Sequence, residues 1–319
     1  MKKKDLRIVY MGTPDFAVES LKQLVENGYN VVGVITMPDK PAGRGYKVQF
    51  SPVKQYALEK GITLLQPEKL KDSKFLDELK QLNADLQIVV AFRMLPEVVW
   101  NMPKYGTFNL HASLLPQYRG AAPINWAVIN GETETGATTF FLTHEIDTGN
   151  IILQTKIAIN ETDTAGDVHD KLMEEGAKLV LKTVDLLLSD NVSTLAQPNF
   201  ELLKPAPKIF KETCRIDWSK DVVSIYNFIR GLAPYPAAWT TLLPTDNELI
   251  VIKIFETEKE FSTHQLAYGS VVSDKKRQVK IAVQDGFIQL KSIQLAGKKR
   301  MSIEDFLRGN SLPDNCKLI

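Results

Sequence analysis

The chain has 319 residues, 44% of them hydrophobic and 24% charged, which is the composition of an ordinary globular protein with room for two domains. Its 39 basic and 38 acidic residues nearly cancel. The whole-chain charge therefore excludes a general attraction to nucleic acid, and any site for a polyanion must come from local clusters.

Three features of the sequence bear on the compartment in which the protein works. Cys214 and Cys316 lack the spacing of metal ligands and are expected to be reduced thiols. The basic start, residues 2–4, precedes an apolar run at residues 8–11 that is far too short for a signal peptide. No stretch approaches the length of a membrane span. We therefore expect a cytoplasmic protein that makes no membrane contact.

Strands and helices alternate in the first part of the chain. Short apolar strands are predicted at residues 6–11, 31–36, 62–65, 85–92 and 107–110. Amphipathic helices are predicted between them at residues 15–27, from Ser51 with Pro52 in the first turn, at residues 72–82 and around residues 96–100. Alternation of this kind predicts an α/β domain with a doubly wound parallel sheet.

The pattern changes in the second part. A helix at residues 124–130, strands at 137–142 and 151–159 and a long helix at 164–188 complete the first domain, and a linker with three prolines follows. Beyond it, a helix at 219–230 precedes short strands at residues 239–243, 249–256, 268–273, 279–283 and 287–295. Strands of this spacing predict a small β-barrel, and Ser302 with Asp305 forms a capping box for a last helix.

Residues 107–120 (TFNLHASLLPQYRG) carry the candidate chemistry. Asn109 and His111 lie two residues apart at the end of a predicted strand, so their side chains point to the same side. That edge of an open α/β sheet is where ligands bind. Asn109 supplies an amide donor and acceptor, and His111 a group that titrates near neutral pH. The apolar loop Leu114-Leu115-Pro116 offers a wall for a flat organic ligand.

Asp147 lies in a tight turn, Ile146-Asp147-Thr148-Gly149-Asn150, between two predicted strands. Such a turn is common by itself, but paired with His111 it makes Asp147 an orienting carboxylate and a proton acceptor. The three side chains suit acyl transfer from an amide-like donor to an amine. Protonated His111 and the Asn109 amide would stabilise the oxyanion of a tetrahedral intermediate, and Asp147 would accept the amine's proton through a water. The sequence contains neither a Gly-x-Ser-x-Gly elbow nor a cluster of metal ligands.

The runs NLHASLLPQYRGAAPI and IDTGNI resemble the folate-dependent formyltransferases, whose pattern is Asn-x-His, Ser-Leu-Leu-Pro and a later Asp-Thr-Gly. Residues 37–45 (MPDKPAGRG) and 51–54 (SPVK) resemble the insertion loop of the family members that formylate methionyl initiator tRNA, and the likeness extends over nearly the whole chain. It implies a Rossmann-like catalytic domain at residues 1–189, a linker at 190–208 and a smaller, OB-like β-barrel at 209–319 that binds tRNA.

The resemblance also implies roles for single residues. The co-substrate would be 10-formyltetrahydrofolate, no metal would take part, and the acceptor would be the free amino group of methionyl initiator tRNA, bound by a monomer. Asn109, His111 and Asp147 would be catalytic. The residues expected to line the folate site are Ser113, Leu114, Leu115 and Pro116.

Basic clusters provide the expected contacts to tRNA. The loop at residues 38–49 carries Lys40, Arg44 and Lys47, and the resemblance makes Arg44 its RNA contact. The barrel carries a run at residues 275–277 and a second at Lys298-Lys299-Arg300. By itself each run is an ordinary solvated turn, but two on one barrel beside a basic loop favour phosphate contacts.

Three positions depart from the family pattern. Ala112 stands where Gly is common, which should be tolerated. Arg93 stands where a small residue is expected, and Thr143-His144-Glu145 replaces the usual Asp-x-Gly. The last two fall at the expected rim of the folate pocket.

Three alternatives stay open at this stage. A formyltransferase acting on a small amine would share the Asn-His-Asp group but leaves the PAGRG loop and the basic barrel unexplained. A nicotinamide-dependent oxidoreductase is disfavoured because the first strand ends in Gly12-Thr13-Pro14-Asp15 and not in the Gly-x-Gly-x-x-Gly fingerprint. A non-catalytic RNA-binding protein leaves the buried Asn-His pair unexplained.

Overall fold

The computed structural model describes residues 2–42, 47–189, 192–198, 202–243, 249–310, 312 and 316–319. The chain divides into two compact units. The N-terminal unit comprises Met1–Gly120, Thr135–Ile157 and His169–Pro205, and the C-terminal unit comprises Ala121–Glu134, Ala158–Val168 and Ala206–Ile319. Two segments of the C-terminal unit thus precede the predicted linker in sequence.

The N-terminal unit is built on a twisted sheet with helices between its strands. Its strands are β1 (Arg7–Gly12), β2 (Asn30–Ile35), β3 (Lys40–Ala42), β4 (Lys47–Gln49), β5 (Leu64–Leu65), β6 (Leu86–Val90), β7 (Thr107–His111), β8 (Glu134–Phe141) and β9 (Ile151–Ala158). The helices are α1 (Phe16–Glu26), α2 (Pro52–Glu59), α3 (Ser73–Gln81), α4 (Glu97–Trp100) and residues 169–188 of α6 (Ala165–Leu188).

Within the described residues, the main sheet has the strand order β5-β2-β1-β6-β7-β8-β9, while β3 and β4 form a separate antiparallel pair. The strands from β5 to β7 are parallel, and β8 is antiparallel to β7. All five residues of β6 are buried, as a strand covered on both faces requires. The doubly wound parallel sheet predicted from the sequence is confirmed, and β7 lies beside β6 in its interior.

Side-chain caps start the helices where the sequence predicts them. The Ser51 hydroxyl accepts the Lys54 N–H at 3.1 Å, with Pro52 as the first helical residue of α2. The Asp72 carboxylate accepts the Phe75 N–H at 3.2 Å at the start of α3. Across the described part of the chain, none of the helices combines the length and the apolar composition that a bilayer crossing requires.

The C-terminal unit is an antiparallel, nearly closed barrel, which confirms the predicted fold. Its elements are α5 (Pro123–Ile129), a 3-10 turn (Glu212–Cys214), α7 (Val222–Leu232), β10 (Ala238–Leu243), β11 (Ile250–Phe261), β12 (Val271–Ser273), β13 (Val279–Val283), β14 (Gly286–Leu295), β15 (Met301–Ser302), α8 (Ile303–Gly309) and β16 (Lys317–Leu318). The strand order is β12-β13-β14-β11-β10-β16, and a bridge between Ser270 and Lys317 brings the two ends of this order together. Buried residues of α7, among them Ile225 and Ile229, fill the core against the strands.

Several strands differ from the predicted bounds, among them β5 and β11. The strand predicted at residues 62–65 has only the two residues of β5. The strand predicted at 249–256 continues to Phe261 as β11, because β14 pairs with it along its whole second half. The alternating charges of that half, which obscure the strand in the sequence, form ion pairs on the barrel surface, with Glu258 at 2.8 Å from Lys291 and Glu260 at 2.5 Å from Lys280.

The cap of α7 gives a prediction about the stability of the C-terminal unit. The Asp221 carboxylate accepts the N–H of Ser224 at 2.8 Å and its hydroxyl at 2.6 Å, and these hydrogen bonds, the hydroxyl's first, lower the pKa of Asp221. We expect Asp221→Ala to lower the free energy of unfolding by about 1 kcal/mol at neutral pH in urea titrations. Because the folded-state pKa is lowered, the stabilisation is complete above the ordinary carboxyl pKa and is lost as the pH falls through the lowered value.

Asp221→Asn is the matched control, because an Asn side chain also caps a helix but does not titrate. Relative to this variant, the wild-type chain should lose stability as the pH falls from neutral to below the ordinary carboxyl pKa of about 4. An Ala variant as stable as the wild type at neutral pH would contradict the role of the cap.

Candidate active site

The predicted pair of Asn109 and His111 lies at the carboxyl end of β7, on one face of the sheet. Main-chain pairing places Asn109 opposite Phe140 of β8 and His111 opposite Thr138. The Asn109 side chain is half-buried, and its amide makes no hydrogen bond with any residue that the structure describes. A half-buried amide with its donors and acceptor unused is available to a ligand.

The imidazole of His111 is buried and has a different neighbour at each nitrogen. Its Nε2 lies 2.9 Å from the carbonyl oxygen of Tyr118. Since a carbonyl oxygen only accepts hydrogen bonds, Nε2 carries a proton whether the ring is neutral or charged. Its Nδ1 faces Asp147, with 3.9 Å between Nδ1 and Oδ2. The proton that the ring gains and loses is therefore the one on Nδ1, on the side of the carboxylate.

A sharply folded turn between β8 and β9 carries Asp147 back toward His111. The Phe141 N–H donates to the carbonyl oxygen of Asn150 at 3.1 Å, across the mouth of the turn. A Cβ added to Gly149 would overlap the Phe141 carbonyl oxygen, so this close approach requires glycine. Asp147 itself has a left-handed backbone with φ of 56°, a conformation that Asp adopts more readily than most residues.

The Asp147 carboxylate is held on one side and open on the other. Its Oδ2 accepts the Gly120 N–H at 3.1 Å. The 3.9 Å to His111 Nδ1 is longer than a direct hydrogen bond, so the carboxylate has acceptor capacity left for a substrate group or a water. The structure thus brings Asn109, His111 and Asp147 together as the sequence predicts; their catalytic roles stay a prediction.

The loop after His111 is organised around one buried hydroxyl. Thr138 Oγ1 donates to the Ser113 carbonyl at 2.7 Å and accepts the Leu115 N–H at 3.1 Å and the Gln154 amide at 2.9 Å. The Ser113 hydroxyl donates to the Gln117 carbonyl at 2.7 Å.

These contacts place the residues predicted to line the folate site inside the loop. Ser113, Leu115 and Pro116 are buried, and Leu115 packs against Phe140. Leu114 is half-buried and keeps part of its surface in solvent. Their main contribution is to the shape of the loop, and the assignment of these four residues to folate stays a prediction.

The bend that follows β6 supplies a surface that suits a flat heteroaromatic ligand. Val90 pairs with Leu110, so Ala91 lies level with His111 at the carboxyl edge of the sheet. Ala91 has a φ of 47° and is exposed, and Met94 is 75% exposed. The Asn109 amide, which has no partner among the described residues, and this exposed apolar surface together offer the polar and apolar groups that a fused ring with polar edges requires, so the residues fit a folate. In the described part of the chain, no group of three or more His, Cys, Asp or Glu side chains could hold a metal ion.

The departures from the family pattern have local partners. Arg93 donates to the main-chain carbonyls of Pro67 and, at 2.8 Å, Glu68, and burial lowers the pKa of its guanidinium. His144 packs edge-on against Trp100, with ring centroids 5.4 Å apart. Arg93 thus connects two loops of the N-terminal unit, and His144 connects the turn after β8 to α4.

The residues predicted to contact tRNA fall into two groups. Arg44 and the side chains of Lys40 and Lys47 lie outside the described residues. Lys298 and Lys299 are exposed and make no side-chain contact with the described residues.

Arg300 is already engaged by its neighbours in the barrel. It forms an ion pair with Glu256, donates to the Ser292 hydroxyl at 2.7 Å and lies over the Phe255 ring at 4.6 Å. Of the three basic residues, the two lysines are therefore the ones whose charge has no partner in the described part of the chain.

An ion pair holds the base of the basic loop. The Lys54 ammonium binds the Asp39 carboxylate and lies 3.9 Å from the centre of the Phe50 ring. Gln66 donates to the same carboxylate at 3.0 Å. The hydrogen bond from Lys54, followed by that from Gln66, lowers the pKa of Asp39. These residues fix where the loop leaves the sheet.

Sequence reasoning missed the residues that support the candidate catalytic group. Thr138 orders the loop after His111, Tyr118 fixes the imidazole through its carbonyl, and Gln197 donates to the carbonyl of Asp147 at 2.8 Å. All three act on or through main-chain atoms. Such contacts depend on the path of the chain and leave no residue pattern, although Tyr118 lies within the quoted QYRG run.

Comparison with known proteins agrees with this geometry. A protein-family model described as formyl transferase matches residues 6–184, and one described as formyl transferase, C-terminal domain, matches residues 208–311. The chain is 66% identical to a methionyl-tRNA formyltransferase of Bacteroides thetaiotaomicron, over 100% of both chains.

Solved structures share the fold at low sequence identity. WlaRD, a sugar 3N-formyl transferase crystallised in the presence of dTDP and 5-N-formyl-THF, is 21% identical with a TM-score of 0.63, over 92% of this chain and 99% of that one. HypX from Aquifex aeolicus in complex with tetrahydrofolic acid is 17% identical with a TM-score of 0.62, over 94% of this chain and 46% of that one. At these identities the likeness concerns the fold alone.

Thr138 gives a prediction about the loop. Thr138→Val keeps the side-chain shape but leaves the Leu115 N–H and the Ser113 carbonyl without their buried partner. We expect the free energy of unfolding to fall by about 1–3 kcal/mol, measured by urea denaturation. Thr133→Val is the control, because Thr133 is exposed and its side chain makes no hydrogen bond with the described residues. Equal stability of the two variants would show that the hydroxyl does not organise the loop.

Proposed function

The chain belongs to the formyl transferase family, and from this premise we propose that it transfers the formyl group of 10-formyltetrahydrofolate to the free amino group of methionyl initiator tRNA, the step that prepares this tRNA for translation initiation. Full-length identity of 66% to a methionyl-tRNA formyltransferase supports the choice of acceptor. The reaction would take place in the cytoplasm, where initiation occurs. The monomeric state expected from the sequence stays a prediction.

One observation carries the proposal: His111 presents Nδ1, and not Nε2, to the Asp147 carboxylate. The Tyr118 carbonyl accepts the hydrogen bond from Nε2, so a second proton on the ring is bound at Nδ1, which faces the Asp147 carboxylate. An imidazole that gives up and takes back a proton at one nitrogen during a reaction requires a partner at the other nitrogen that fixes its tautomer.

The three side chains divide the work by their chemistry. When bound, the folate co-substrate supplies a formyl carbon attached to nitrogen. The Asn109 amide, which has no hydrogen-bond partner among the described residues, and the Nδ1 proton of charged His111 lie on one face of β7 and are suited to stabilise negative charge on the formyl oxygen. Asp147 accepts from Gly120 and has capacity left to take the proton of the amine as that amine bonds to the formyl carbon, directly or through a water, and to return the proton to the folate nitrogen as the bond between that nitrogen and the formyl carbon breaks.

Binding of the tRNA would orient that amine. Lys298 and Lys299 of the barrel, which form no ion pair with the residues that the structure describes, are suited to phosphate contacts, and the predicted loop residues Lys40, Arg44 and Lys47 would add others. Affinity from a large body remote from the reaction can serve to position one small reacting group.

The proposal predicts a defined product. With methionyl initiator tRNA and 10-formyltetrahydrofolate, the protein should form an N-formylated ester, detected as N-formylmethionine after the ester is hydrolysed. His111→Ala and Asp147→Asn should each lower the single-turnover rate by roughly 10²–10⁴-fold while tRNA binding is retained. An amino sugar nucleotide offered in place of the tRNA is the control acceptor. Formylation of the sugar, with the tRNA unchanged, would reject the proposal.

The barrel lysines give a separate prediction about tRNA binding. The double variant Lys298→Ala/Lys299→Ala should raise the KM for tRNA and lower the slope of log K against log salt by about 2, since two phosphate contacts are lost. The double variant Lys280→Ala/Lys291→Ala is the matched control, because both ammonium groups form ion pairs with glutamates of the barrel, and it should lower the slope less. An unchanged salt slope in the double variant would exclude these lysines as phosphate ligands.

A further inference from the structure

A segment within the predicted linker is attached to the edge of the N-terminal sheet. Leu195 and Ile151 exchange both main-chain hydrogen bonds, at 2.8 and 2.9 Å, so that residues 192–198 run alongside the start of β9. The side chain of Leu195 is 66% exposed and contributes only its backbone. This pairing sets the position of the next residues along the chain, including Gln197, relative to the turn that carries Asp147.

The Gln197 amide uses both of its ends. Its Nε2 donates to the carbonyl oxygens of Asp147 at 2.8 Å and Gly149 at 2.9 Å. Its Oε1 accepts from Arg119, at 3.1 Å from Nε and 2.6 Å from Nη2. The guanidinium only donates, so it determines which end of the amide points to the turn. A side chain of this length with two N–H donors and an acceptor is specific to glutamine.

These bonds close a ring around the Asp147 carboxylate. Arg119 is followed by Gly120, whose N–H donates to Asp147 Oδ2 at 3.1 Å, while Gln197 connects Arg119 to the carbonyl of the same aspartate. Asp147 is thus held at its carboxylate and at its main chain, in the left-handed conformation that few residues adopt unaided.

We propose that Gln197, oriented by Arg119, is a positioning residue for the transfer reaction, because it holds the turn that aims the Asp147 carboxylate at His111 Nδ1. This proposal rests on the proposed function. Gln197 touches no reacting atom; it acts only through the main chain of Asp147 and Gly149. Displacement of a reacting group by about 1 Å can lower a rate by on the order of 10²-fold.

The test compares variants at Gln197 with a control in the same segment. Gln197→Ala should lower kcat for formylation by roughly 10–10²-fold, with the KM of both substrates within about threefold of the wild type. Gln197→Glu, which keeps the size and the contact with Arg119 but has no N–H to donate, should be as slow. Leu195→Ala should retain the wild-type kcat, and all three variants should unfold at similar temperatures.

A double-mutant cycle tests whether Arg119 acts through Gln197. Arg119→Met should lower kcat in the wild-type background. In the Gln197→Ala background it should change kcat little, because both residues act through the same contact with the Asp147 turn. Additive losses, or a Gln197→Ala kcat within about twofold of the wild type, would overturn the proposal.

Amide hydrogen exchange gives a readout that does not depend on activity. The Gly120 N–H should exchange faster in Gln197→Ala than in Leu195→Ala, because its carboxylate acceptor moves. Unchanged protection of Gly120 would also overturn the positioning role. Absence of formylation by the wild-type chain would instead reject the proposed function, and exchange at Gly120 would then decide alone whether Gln197 holds the turn.

Discussion

The hydrogen bond from His111 Nε2 to the carbonyl of Tyr118 is the contact on which the chemistry of the site depends. Without it the imidazole could place either nitrogen toward Asp147, and the neutral ring would be divided between two tautomers. With it, one nitrogen always carries a proton and the other faces the carboxylate. A carbonyl is a suitable partner because it cannot donate and has no charge of its own, so it selects the tautomer without competing for the titrating proton.

The position of that carbonyl is maintained by contacts on both sides. Tyr118 donates its own N–H to the Lys204 carbonyl at 2.7 Å, and the Lys204 N–H donates to the Gln117 side chain at 2.8 Å. Residues 192–198 pair with the sheet edge and bring Gln197 to the Asp147 turn. A stretch that composition predicts to be a linker across the surface thus supports both partners of His111. The Pro-rich composition remains compatible with this, because the contacts use main-chain carbonyls and a few N–H groups.

A feature could be predicted from the sequence when it depends on a few neighbouring residues, and not when it depends on segments that are distant in the chain. The spacing of Asn109 and His111 needs only the period of a strand, and the caps of α2 and α3 need only four consecutive residues; all were predictable. Asp147 lies 36 positions after His111, so no local pattern connects them; their pairing was a hypothesis from side-chain chemistry that the family resemblance supported. The roles of Thr138 and Gln197 were not predicted because both side chains bind main-chain atoms of distant segments. The second half of β11 was not predicted because its charged residues are typical of a loop, and it is a strand because β14 pairs with it.

For the proposed contacts with tRNA, too, the sequence shows which residues are basic but not which of them already have a partner. Net charge is +1, so attraction of a polyanion depends on charges that stand within a Debye length of its phosphates, about 8 Å at physiological salt. The sequence contains three positive charges at residues 298–300, but the structure does not leave all three available to a phosphate. Arg300 shares its charge with Glu256 and stacks on Phe255, whereas Lys298 and Lys299 make no such contact with the described residues. An arginine held in this way serves the barrel, and the neighbouring lysines, kept at its surface by that anchor, are the ones that can meet a phosphate.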